Sequence, residues 1–146
     1  MYLSAHFTLE EMTNSQTAVR KNINNTPDEQ VVERLRMTCQ QLEKVRDLLG
    51  QPIIVSSGYR SPELNAAIGG VSASAHCLGY AVDFICPVFG SPLQICNAIR
   101  AAQIKLDQCI QEGTWVHISF DPRYRNEYMT ATFTASGASY TGGLSG

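Results

Sequence analysis

The sequence predicts one α+β domain, built from a long amphipathic helix, three shorter capped helices and four short strands. Three observations carry this. A length of 146 residues with 44% hydrophobic content suits a single core. An apolar stripe of helical period runs from Val31 to Leu49, and β-branched or alternating runs recur at Ile53, Ala81, Ile104 and Trp115.

Thr8 followed by Glu11 forms a capping box, so a short helix is expected from Leu9, with Phe7 packing beside it. A polar stretch through Asn25 follows. Thr26-Pro27-Asp28-Glu29 then combines a cap, a first-turn proline and a carboxylate, which opens the long helix. Its buried stripe is Val31, Leu35, Cys39, Leu42, Val45 and Leu49, and Gly50 is its stop. Ile53 to Ser57 is too short for a further helix and reads as a strand ended by Gly58.

Ser61-Pro62-Glu63 caps a helix that ends at Gly69-Gly70, and Val71 to Ala75 is expected to be a loop that delivers His76. Ala81 to Cys86 is a strand. Ser91-Pro92-Leu93-Gln94 opens a helix with Leu93, Cys96 and Ile99 on one face, and Ile104 to Ile110 and Trp115 to Phe120 are two more strands. Residues 1–134 are read as the domain, and 135–146, rich in Gly, Ser and Thr, as a loose edge or tail.

Composition excludes several classes of partner. A formal charge of −2, with no basic block to follow a phosphate backbone, argues against nucleic acid. No run of ~20 apolar residues is present to insert in a membrane. Met1 to Met12 lacks the basic start and apolar run of an export signal, so the chain is expected to be made in the cytoplasm without a signal peptide. Five cysteines with no C-x-x-C pair fit neither a disulfide framework nor a thiolate zinc knuckle, and most are expected to be reduced core residues.

The chemistry concentrates in two of the three histidines. Alternation along Trp115 to Phe120 turns Val116, Ile118 and Phe120 into the core and leaves Trp115, His117 and Ser119 on the other face. In Ala81-Val82-Asp83-Phe84 the same period turns Asp83 out, and an acid flanked by Val82 and Phe84 is costly to desolvate unless paired or metal-bound. Taken singly, each has an ordinary reading as a satisfied histidine or a locally paired aspartate. Together, two imidazoles and a carboxylate suit zinc (Zn2+), with a fourth position left for water, which is the arrangement of a catalytic site. Cys77 is a weaker competitor for the ion, and His6 lies in an exposed segment with no assigned role.

Three blocks carry a resemblance. Ser74-Ala75-His76-Cys77-Leu78-Gly79-Tyr80-Ala81-Val82-Asp83 is similar to the S-x-H-x-x-G-x-A-x-D signature of zinc D-Ala-D-Ala carboxypeptidases, and Trp115-Val116-His117 to their W-x-H element. Upstream, Ser57-Gly58-Tyr59-Arg60-Ser61 resembles their S-G-Y-R-S/T segment. The resemblance covers roughly Phe7 to Phe120 and extends to phage and prophage members of peptidase family M15, endolysins among them.

The resemblance implies a central, mainly antiparallel sheet flanked by helices, as in hedgehog signalling domains and D-Ala-D-Ala peptidases. It places zinc on His76, Asp83 and His117, and gives Arg60 the role of anchor for a substrate carboxylate or the developing oxyanion. The family acid three residues before the last histidine is replaced by Thr114, so Glu112, rather than Asp107, is expected to be the general base. Ser74, Tyr59 and Trp115 are the expected substrate contacts. The implied partner is a peptidoglycan stem peptide, met by a monomer acting at the bacterial cell wall after release or as part of a phage particle. An alternative is a zinc-containing wall-binding or virion module without catalysis.

Overall fold

The computed structural model describes residues 1–71 and 74–146. Residues 72 and 73 of the expected Val71 to Ala75 loop lie outside the described residues. The elements run α1 (Leu9–Thr13), α2 (Gln16–Arg20), α3 (Glu29–Leu49), β1 (Ile54–Ser57), α4 (Pro62–Ala67), α5 (Ala75–Leu78), β2 (Ala81–Ile85), α6 (Pro92–Ala101), β3 (Gln108–Gln111), β4 (Val116–Ser119), β5 (Glu127–Thr134) and β6 (Gly137–Gly142).

Local chemistry sets most helix boundaries. The Thr8/Glu11 capping box starts α1, and a second box, Ser91 with Gln94, starts α6. The long helix is capped by Asp28, whose carboxylate accepts from the Val31 N–H at 2.9 Å, so the helix starts two residues beyond the expected Thr26 cap. All six stripe residues of α3 are buried, and Gly50 ends the helix in the left-handed region. On α6 the buried face is Ile95, Cys96 and Ile99, with Leu93 only half-buried.

Four elements depart from expectation. α2 forms in the stretch read as polar, because the Ser15 side chain caps it and Ala18 is buried. His76 sits in a helical turn, α5, capped by the Ser74 hydroxyl, and not in a loop. β5 arises from Glu127 to Thr134. β3 begins at Gln108, so the Ile104 to Asp107 part of its expected strand is irregular.

The six strands form one open sheet in the order β1-β2-β4-β3-β5-β6. Every neighbouring pair is antiparallel except β3 and β5. Val82 and Phe84 of β2, Cys109 of β3, and Val116 and Ile118 of β4 join the stripe of α3 and the buried face of α6 in a single core. Full burial of side chains such as Phe84 or Ile118 contributes about 1.5–3 kcal/mol each. The opposite face of β2, β4 and β3 is therefore free to carry chemistry. All five cysteines are free thiols, and Cys39, Cys86, Cys96 and Cys109 are buried. Among the described residues no helix is long and apolar enough to cross a membrane.

The parallel pairing of β3 with β5 needs a device to hold it, since a parallel neighbour cannot be joined by a tight hairpin. Asp107 supplies it. Its carboxylate accepts from the backbone N–H of Arg125 at 3.0 Å and from the Arg125 guanidinium at 2.9 Å twice. Its carbonyl accepts from the Glu127 N–H. Burial raises the Asp107 carboxyl, and the bonds from Arg125 overcome this and hold it below the usual carboxylate range. Arg125 is itself 36% exposed, so solvent screens part of the pair. Asp107→Asn is expected to lower unfolding free energy by about 1–3 kcal/mol, read from urea midpoints. The wild-type contribution is present above the unfolded-state pKa of the carboxyl and is lost as pH falls through its lowered folded value. Equal stability of the two proteins at neutral pH would overturn this role.

Candidate metal centre

Strand register builds the site. Ser57 pairs with Asp83, Asp83 with His117, His117 with Ile110, and Ile110 with Met129. Directly opposed residues share a sheet face, so these five form one row across the strands, on the face away from α3 and α6. The row floors a cleft of ≈ 730 Å³ that Arg60, Ser74, His76, Glu112 and Trp115 also line. Two metal-capable donors thus come from adjacent strands, and α5 adds the third.

The donors converge. His76 Nε2 lies 3.2 Å and His117 Nδ1 3.0 Å from the same oxygen of Asp83, and the two imidazoles meet edge to face at 5.1 Å. One ligand atom from each lies within 4.8 Å of the others. Cys77 is not in this cluster. His6 instead pairs with Glu43 of α3 at 2.6 Å.

The tautomer of His76 is fixed by its other nitrogen. Gly58 O is 2.7 Å from His76 Nδ1, and a carbonyl can only accept, so Nδ1 carries the proton. Burial holds the ring below its ordinary imidazole pKa, which favours the neutral form. Nε2 then points a lone pair at Asp83. Burial alone would raise the Asp83 carboxyl, but the neighbouring histidines hold it well below the usual range as an anion. His76 Nε2 and an Asp83 oxygen 3.2 Å apart share a cation, either a proton on the imidazole or a metal ion that replaces it.

Donors around a tetrahedral ion with ~2.1 Å bonds stand about 3.4 Å apart. The observed 3.0 and 3.2 Å are close to that spacing. A histidine ligand whose second nitrogen donates to a backbone carbonyl is the usual outer support of a metal site. His76, Asp83 and His117 therefore fit a divalent ion in both geometry and donor chemistry.

Two glycines aim these groups. Gly79 ends α5 at φ +86° and turns the chain into β2, and its carbonyl accepts from the buried Thr38 hydroxyl at 2.7 Å. Gly58 is required by proximity: a Cβ there would stand 2.5 Å from Met12 O. Gly58→Ala is expected to cost about 1–3 kcal/mol of stability through this clash. Because the shift also disturbs the carbonyl that braces His76, metal affinity should fall about 10–100-fold. Calorimetric titration with zinc checks it, and unchanged affinity would remove Gly58 from the support of the site.

Glu112 follows β3 at the hairpin to β4, and its backbone N–H donates to Trp115 O at 3.0 Å. Burial raises its carboxyl above the ordinary value, with His117 opposing and Asp83 reinforcing the shift. Asp107 also lines the cleft, but its oxygens are engaged by Arg125. Among the described residues, the buried Arg60 Nε and Trp115 Nε1 have no partner with hydrogen-bond geometry, although the Trp115 indole lies near enough to Glu112 to favour its charged form. Unpaired buried donors are uncommon and mark a place where an acceptor is missing.

Of the three expected substrate contacts, Ser74 and Trp115 line the cleft. Tyr59 is buried in the hydrophobic core and borders a different groove. Sequence reasoning missed Ile110, Met129, Phe133 and Tyr140, which also line the cleft. Phe133 lies 5.7 Å from Trp115 between ring centroids. A signal for them existed: Tyr128, Thr130, Thr132 and Thr134 alternate at strand period, with Phe133 in the same run.

A family model described as Peptidase M15 matches residues 5–119. No curated protein matches the chain.

Proposed function

Because this chain belongs to the M15 peptidase family, we propose that it is a zinc metallopeptidase that hydrolyses peptide bonds in peptidoglycan stem peptides at the bacterial cell wall. One observation supports this above the rest: His76 Nε2 and His117 Nδ1 converge on one Asp83 oxygen, at the floor of an open cleft. His76, Asp83 and His117 would hold the ion, and a set of two imidazoles and one carboxylate with an open position suits catalytic zinc. Bound zinc supplies Lewis acidity that acidifies the attacking water and polarises the scissile carbonyl.

The remaining steps belong to the chain. Glu112, whose carboxyl burial makes a better proton acceptor, takes the proton of the attacking water and returns it to the leaving amine. Arg60, with its permanent charge and an unsatisfied buried N–H, holds the negative charge that develops on the carbonyl oxygen. Trp115 walls the cleft, and its buried indole N–H lies beside Glu112, where it favours the carboxylate. Ser74 caps α5 and so keeps His76 in place while its own side chain borders the substrate space.

The test is hydrolysis of purified peptidoglycan followed by release of new amino groups. Activity should vanish with a chelator and return with zinc at one ion per chain. Binding of wall fragments without product, with zinc saturated, would replace the enzyme by a non-catalytic wall-binding module.

A further inference from the structure

We propose that Tyr140, in the C-terminal hairpin, is a substrate-binding residue whose hydroxyl donates a hydrogen bond to a neutral main-chain carbonyl of the bound peptide, next to the scissile bond. This rests on the peptidase reading above and assigns a contact within the same site. Tyr140 lies beyond residues 5–119, the part of the chain that the family model matches.

Strand register places it. β3 runs parallel to β5, with Ile110 opposite Met129 and Gln111 opposite Thr130, so the next residue, Glu112, comes level with Ala131. Ala131 pairs in turn with Tyr140 across the β5–β6 hairpin. Glu112, Ala131 and Tyr140 thus form a second row on the cleft face, two residues on from the row that carries Asp83 and His117. The middle member of this row offers only a methyl group, and it is 5% exposed although it shares a face with the cleft-lining Met129 and Phe133. A tyrosine ring therefore has room to lie over Ala131 toward the metal row.

The hairpin is held inward over the cleft. Phe133 of β5 meets Trp115 at 5.7 Å between ring centroids, although β3 stands between β5 and β4 in the sheet and Trp115 directly precedes β4. Beyond β6 the chain is tied back. The Thr130 hydroxyl donates to Gly143 O at 2.8 Å and accepts from the Ser145 N–H at 3.0 Å, and the Gln111 amide donates to Ser145 O at 2.9 Å. Tyr140 is thus carried on an anchored strand, and its side chain lines the cleft that holds Asp83, Glu112 and His117.

Charge decides what the hydroxyl takes. Burial raises the Tyr140 phenol above its ordinary value, and the charges of Glu112 and Asp83 raise it further, so it is a protonated donor at neutral pH. The same two carboxylates repel a substrate carboxylate from this wall. Arg60, which follows β1 at the other edge of the sheet, is the place for such a charge. A peptide carbonyl carries no net charge and needs a donor, which the phenol supplies.

The experiment uses Tyr140→Phe, which removes the hydroxyl and keeps the ring, with zinc-loaded protein and a synthetic stem pentapeptide ending in D-Ala-D-Ala. Mass spectrometry of the products first locates the scissile bond, and each neighbouring amide is then replaced in turn by a thioamide, a poor acceptor. In the variant kcat/KM should fall about three- to tenfold, the loss of one neutral hydrogen bond. One thioamide should slow the wild type by a similar factor and slow the variant no further, because the contact it weakens is already gone. Equal rates of variant and wild type overturn the proposal and leave the peptidase reading standing. Thioamide penalties of the same size in both proteins also overturn it. No product from zinc-loaded wild type removes both readings.

A readout without turnover comes from Trp115, the one tryptophan of the chain, which lines the same cleft. Its fluorescence in metal-free protein titrated with the pentapeptide should give a Kd about three- to tenfold weaker for Tyr140→Phe, with an unchanged urea midpoint. A wild-type Kd in the variant would overturn the contact.

Discussion

His117→Ala is expected to leave the purified protein without stoichiometric zinc and without measurable hydrolysis of peptidoglycan. His117 is one of the three proposed donors, and its Nδ1 is also 3.0 Å from the Asp83 oxygen that His76 faces. Removing it leaves two donors for an ion that three protein ligands and a water normally hold. Several kcal/mol of transition-state stabilisation go with the ion, and at 1.36 kcal/mol per decade this amounts to about a thousandfold or more in rate. The cost to the fold should be modest, because the neighbouring Val116 and Ile118 keep β4 in the core. Elemental analysis and a circular dichroism spectrum separate the two effects. A metal-free variant with full activity would sink the metal assignment, and unfolding would call for His117→Gln in its place.

Glu112→Gln should divide chemistry from binding. Glutamine keeps the shape of the side chain but cannot accept the proton, so zinc stoichiometry should stay at one while kcat falls by about 10²–10⁴. The wild-type profile should lose activity as pH falls and the Glu112 carboxylate is protonated. That acid limb should flatten in the residual activity of the variant. Burial raises this carboxyl, so the needed form is the one that low pH removes. Retention of both rate and limb would move the base to another group. Asp107 is the nearest alternative in sequence terms, yet its bonds to Arg125 leave its oxygens already in use.

The two predictions differ in how far their residues could be read in advance. Asp83 and His117 announce themselves, because strand alternation turns an acid and an imidazole out from apolar neighbours, whereas His76 is marked by the motif that holds it. Glu112 does not. It lies five residues before His117, and its approach to the cleft depends on the hairpin through Gly113, at φ +81°. The expected substrate role of Tyr59 shows the reverse problem: adjacent to Arg60 in sequence, it packs into the core while Arg60 borders the cleft.

Local signals also explain which elements were legible. The capping boxes at Thr8 and Ser91 and the stripe of α3 are short-range patterns, so they survive as written. α2 and α5 are one or two turns long, too short for a periodic stripe, and depend on single serine caps. β5 carries a local strand period, but its place beside β3, a parallel neighbour reached through a long connection and fastened by Asp107 to Arg125, is not legible in that period.

What the sequence by itself determined is the mixed architecture and the helix that carries the core stripe, since each follows from a period of 3.6 or 2 within a single element, and the same period turns Asp83 and His117 away from the core. Tertiary structure alone decided that Asp83 and His117 lie opposite each other, that Gly58 O fixes the proton on His76, and that the C-terminal strands supply one wall of the cleft. The physical reason is one of range. Periodicity says which way a side chain faces, whereas register, and with it every distance between chemically active atoms, is set by contacts between residues far apart in the chain.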